Sequence, residues 1–180
     1  MDQAIALSET GHLCLATLHA NNANQALDRI VNFFPEERRP QLLMDLSLNV
    51  KAIVSQRLLA REAGQGRVAA VEILLNSPLV TDLIFKGEVA EVKEVMKRSR
   101  EIGMQTFDQA LFELYEAGAV SYEDAMRNAD SVNDLRLQIK LNGKRSGQTN
   151  LARGTEHLRV MRDTEYHALQ AGSPDKPSRI

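Results

Sequence analysis

One cysteine in 180 residues, Cys14, can form neither an internal disulfide nor a cysteine-based metal site, so the sequence points to a reducing compartment. Tryptophan is absent, and no apolar run approaches the roughly 18 residues that a membrane span requires. The stretch MDQAIALSET lacks the basic region followed by an apolar one that marks a secretory leader. Neither sign of charge dominates. The 22 basic and 24 acidic residues leave a formal charge of −2, which argues against a general nucleic-acid binder and against an acidic disordered tail. GxSxG, GxGxxG and HExxH are missing, and GKRSG at Gly143 lacks the upstream glycine of a GxxxxGKS/T phosphate loop. The expectation is a cytoplasmic chain with no phosphate cradle of its own. What is present, 43% hydrophobic and 26% charged residues, is the composition of a globular domain long enough to bury a core.

The apolar pattern then sets the order of elements. Residues 12–18 place Leu13, Leu15 and Leu18 among small residues between Gly11 and Asn21, which predicts a strand buried on both faces, with Cys14 as a structural thiol inside it. In ANQALDRIVNFF the apolar positions recur at helical spacing, after Asn22 as cap and before Pro35 as stop. A second helix is expected after Pro40, through Leu42, Leu43, Leu46, Val50, Ile53 and Val54. SQRLLARE and RVAAVEILL flank Gly64, Gln65 and Gly66, the pattern of a β-hairpin with a tight turn. Strand, helix and hairpin together read as α/β.

From Ser77 the signals are helical. Ser77 precedes Pro78 at a first helical position, and cap pairs recur as Thr106 with Gln109, Ser121 with Asp124 and Ser131 with Asp134. Gly103 and Gly118 fall where helices should end. Four or five short helices between Ser77 and Lys140 would form a small bundle, with Met96, Met104 and Met126 in its packing. The basic run KEVMKRSR is interleaved with Glu91, Glu94 and Glu101 and reads as a solvated helix face. Beyond residue 140 basic residues outnumber acids and glycine and serine cluster, which reads as a flexible tail, with a short helix possible only over 155–169.

Two histidines, His12 and His19, bracket the expected strand. Seven positions apart on a regular strand they point to opposite faces, so they do not share a metal, and no third histidine stands at ligand spacing. A histidine at a strand end sits beside a ligand, at an interface or in a local hydrogen bond, and the residues alone leave these open.

The run ETGHLCLATLHANNANQALDRIVNFFP resembles the His-box region of the type IV pilus retraction ATPases of the PilT/PilU family, within the secretion ATPase superfamily. The resemblance continues through LSLNVKAIVSQRLL, GRVAAVEILLNSPLVTDLI and GMQTFDQALFELYEAGAVSYEDAMRNADSVNDLRL, so it covers about residues 1–141. HLCLATLHANNANQALDRI and FKGEV lie on the PilU side, whereas PilT proteins carry an AIRNLIRE motif where this chain reads PLVTDLIFKGE. Assembly and type II secretion ATPases usually insert a tetracysteine element after the QRL segment; here Gln56, Arg57 and Leu58 lead directly into the glycine turn.

The resemblance implies an α/β fold: the C-terminal part of a RecA-like P-loop ATPase core with His box and hairpin over 1–76, a helical bundle over 77–140, and a basic tail over 141–180. It implies that His12 and His19 sense the nucleotide γ-phosphate, that Thr10, Gly11 and Thr17 lie beside the nucleotide, and that Arg29 and Arg57 are interface candidates. ATP and Mg²⁺ are the implied cofactors of the parent, a homohexamer acting at the cytoplasmic side of the inner-membrane pilus platform, with a paralogous retraction ATPase as a further implied partner; no metal site and no nucleic acid are implied for this chain. The family's phosphate-binding and magnesium-binding segments precede the His box, so the expectation is the second half of an ATPase, from a partial gene, a truncated product or an internal start, inactive alone. Its expected strand over 12–18 would then have unpaired edges that invite association. A non-catalytic module docking on a partner pilus ATPase, or part of a secretion or assembly ATPase, are the alternatives.

Overall fold

A computed structural model describes residues 2–145, and the described residues up to Gly143 form one compact unit. The chain begins with α1 (Asp2–Glu9), passes through residues 10–22 without regular structure, and continues through α2 (Ala23–Asn32) and α3 (Arg39–Asn49). The hairpin β1 (Ala52–Ala60) and β2 (Arg67–Leu75) follows, then α4 (Pro78–Lys86), α5 (Val92–Arg98), α6 (Phe107–Glu116), α7 (Tyr122–Asn128) and α8 (Val132–Asn142). The class is mixed α/β, with a two-stranded antiparallel sheet among the described residues.

The caps act where their side chains predict. Asn22 accepts the Gln25 N–H at 2.9 Å and starts α2, and Ser77 accepts the Val80 N–H at 3.4 Å with Pro78 in the first turn of α4. Thr106 and Gln109 form a reciprocal capping box, while Ser121 and Ser131 each cover one backbone N–H, those of Asp124 and Asp134. Ser77, Thr106, Ser121 and Ser131 thus start α4, α6, α7 and α8, whereas α5 has no side-chain cap.

Three expectations fail. Residues 12–18 are not a strand: no strand among the described residues pairs with them, and Leu13 and Leu15 are 83% and 89% exposed. A strand buried on both faces needs ladder partners on its edges, and β1 and β2 are hydrogen-bonded to each other. Cys14 is therefore half-buried, not a core thiol, and only Leu18 of this run packs against the first core. Second, α3 ends at Asn49, and Ile53 and Val54 belong to β1. The Asn76 side-chain amide donates to the Ser47 and Val50 carbonyls at 2.8 Å each, satisfying the end of α3 from across the hairpin. The hairpin connection is also wider than a tight turn, running over residues 61–66, with both of its glycines at positive φ. The helix considered for 155–169 lies outside the described residues.

The hairpin serves two apolar cores. Leu74 joins Leu27, Leu46, Ile84 and Met96 in the first, and Ala70 and Leu59 join Phe107, Leu111 and Leu135 in the second. At about 25 cal/mol per Å² of apolar surface removed from water, these clusters, rather than the exposed ion pairs, hold the unit together.

Candidate functional site

Thr10, Gly11 and His12 share one turn at the end of α1. The Gly11 and His12 N–H groups donate to the Ser8 and Leu7 carbonyls at 3.0 and 3.1 Å, a helix ending that requires the left-handed backbone of Gly11, φ +87°. The Leu7 carbonyl can only accept, so the Thr10 hydroxyl donates to it at 2.8 Å, and the Thr10 oxygen accepts from His12 Nδ1 at 3.0 Å. The neutral ring then presents Nε2 as an acceptor; only the imidazolium presents an N–H there. His12 is exposed, as are Thr17 and His19 along the same segment. The structure thus brings Thr10, Gly11 and His12 together and leaves Thr17 and His19 farther along the open segment. Arg29 is exposed on α2.

Arg57 faces inward. Its guanidinium lies 4.0 Å over the Phe107 ring, donates at 2.6 Å to the Asn128 carbonyl and to Asp130, and reaches the Asn21 carbonyl at 3.3 Å. Lys93 bonds the other Asp130 oxygen at 2.6 Å, so this lysine is not on a solvated face. Burial pushes the Asp130 carboxyl up, but bonds and charge from Lys93 and Arg57 outweigh it and hold the group below the ordinary carboxylate range. Asp108 accepts the Asp130 and Ser131 N–H groups, and Glu72 accepts the Ala23 N–H at 2.7 Å. Both of these carboxyls are pushed up, chiefly by burial. Sequence reasoning missed Glu72, Lys93, Asp108 and Asp130. One signal was available: Glu72 sits in the period-2 row Ala70, Glu72, Leu74, where a carboxylate must be paired.

No group of three metal-ligating side chains occurs among the described residues. The exposed His12 ring can donate to an anion only from the Nε2 of its imidazolium form.

A family model described as type II/IV secretion system protein matches residues 1–127. The chain belongs to this family. Within the secretion ATPases its similarity runs to the pilus ATPases: it is 62% identical to the type IV pilus ATPase PilU of Pseudomonas aeruginosa over 158 residues, 88% of this chain and 41% of that protein. It is 36% identical to the type IV pilus retraction ATPase PilT of the same organism, over 70% of this chain and 36% of that one. A crystal structure of the pilus retraction motor PilT with bound ADP superposes with a TM-score of 0.68 at 35% identity, over 76% of this chain and 38% of that chain. The chain therefore spans about two fifths of the length of these relatives, and its fold is that of part of a RecA-like secretion ATPase. No helix among the described residues is long and apolar enough to cross a membrane.

Proposed function

We propose that this secretion-family chain supplies the His-box part of a type IV pilus retraction ATPase of the PilU kind, whose ATP hydrolysis drives pilus disassembly. The observation that carries the reading is the Thr10–His12 bond on an open, exposed turn, within a sequence 62% identical to PilU. With Nδ1 held by Thr10, His12 donates to an anion from Nε2 as the imidazolium, a charge-assisted bond that suits a terminal phosphate. That contact is lost when the phosphate leaves, and a differential contact of this kind is what a conformational switch requires. His19 is assigned the same role, with Thr10, Gly11 and Thr17 beside the nucleotide and Arg29 at a subunit boundary. Arg57 is assigned to internal packing in the described unit, where its guanidinium bonds Asn21, Asn128 and Asp130. ATP with Mg²⁺ is the proposed cofactor pair, supplying the phosphoryl group and the charge that offsets it; the residues that cradle both are expected in the stretch of the relatives that this chain does not span. Further proposals are residues 1–76 as the core part, 77–140 as the helical bundle, self-association into a ring, and work at the cytoplasmic side of the pilus platform.

The test joins this chain, in one polypeptide, to the stretch of PilU that it does not span. Replacing His12 or His19 by Ala is expected to lower kcat by about 100-fold, the scale for losing one donor to developing charge, while nucleotide binding persists. Unchanged turnover in both variants would remove the histidines from the reaction. The exposed Leu13 and Leu15 favour a second reading, a non-catalytic module that docks on a partner pilus ATPase. Its mark would be co-purification with full-length PilU without nucleotide, unaffected by either histidine substitution.

A further inference from the structure

On the inner face of the hairpin the row Ala70, Glu72, Leu74 passes from the second core to the first, and the buried carboxylate stands between them. Arg57, Lys93 and Asp130 lie close enough to act on its charge. A charged seam therefore separates two apolar cores that one strand joins. Buried ion networks add little net stability compared with packed apolar side chains, but removing one member leaves its partners uncompensated.

The seam has a direction. Arg57 grips three acceptors with one planar fork: the Asn21 carbonyl two residues after His19, the Asn128 carbonyl at the end of α7, and the Asp130 carboxylate in the loop that leads to α8. Asp108, at the start of α6, holds that same loop by its Asp130 and Ser131 N–H groups. Glu72 holds the Ala23 N–H at the start of α2. The exit of the histidine segment and the α7–α8 loop are thus bonded to one guanidinium, with Phe107 beneath it.

We infer that Arg57 and Asp130 are positioning residues that keep the His19 end of the segment in register with helices α6 to α8, so that a shift of either is felt by the other. What this register does for a motor rests on the histidine reading above; the register itself needs no nucleotide, so either can fail without the other. The experiment is amide hydrogen exchange on the whole chain without nucleotide. The Asn21 and Ala23 amides, bonded to Gln25 and Glu72, report one end, and those of Ile73 and Gln105, bonded to each other's carbonyls, report the contact of β2 with the loop before α6. Asp130→Asn, which alters a residue with no direct bond to Asn21, is expected to speed exchange at Asn21 and Ala23 about tenfold while Ile73 and Gln105 keep their rates. Arg57→Lys is expected to do the same, since an ammonium cannot span three acceptors, and it decides the question if Asp130→Asn does not fold. Faster exchange confined to residues 128–131 would overturn the inference. A uniform increase along the chain would also overturn it, because the pair would then serve only overall stability.

Discussion

Glu72 is 2% exposed, and its carboxylate is held by one backbone N–H from Ala23. Burial raises its pKa more than that bond and the nearby Lys93 and Arg57 charges lower it. The sign of the consequence is fixed: the folded state keeps the proton to higher pH than the unfolded chain, so this group's contribution to stability falls as pH rises from the ordinary carboxylate range through the raised value. Glu72→Gln keeps an oxygen for Ala23 and removes the ionisation. Urea titrations are therefore expected to show the variant gaining on the parent as pH is raised through that window; parallel pH profiles for the two would contradict the assignment. At this scale the grouping of Thr10, Gly11 and His12 was legible, because their neighbours in sequence are their partners in space. Asp130, Lys93 and Asp108 were not, because their partners lie 22 or more residues away.

Helix starts and helix ends differ in how local they are. Ser77, Thr106, Ser121 and Ser131 each accept from the residue three positions on, so the starts of α4, α6, α7 and α8 can be read from a window of four residues. The end of α3 cannot. Val50, Ile53 and Val54 continue its helical spacing, and what stops it is Asn76 on the far side of the hairpin, itself oriented by a bond from Thr81 at 3.0 Å. Asn76→Ala removes both bonds to the carbonyls of Ser47 and Val50, and a loss of about 1 to 3 kcal/mol in chemical denaturation is expected. A change smaller than a few tenths would mean that water serves those carbonyls equally well.

Across the whole unit, the same apolar run that reads as a buried strand leaves Leu13 and Leu15 exposed. Alternation and length describe what a segment can become, whereas pairing depends on an edge lying beside it; β1 and β2 pair with each other through one edge each, and residues 12–18 pair with neither. The secretion-family match over residues 1–127 covers the segment, yet the chain spans 41% of PilU, and no GxxxxGKS/T loop occurs in its 180 residues. The proposed function divides the labour: this chain would contribute the histidine turn and its charged seam, and the phosphate cradle would come from elsewhere in the parent. The most direct measurement is ATP turnover by the pure chain beside turnover by the joined polypeptide under the same conditions. The expected result is hydrolysis by the joined form and none above buffer by the chain alone; turnover by the chain alone at the joined rate would contradict it.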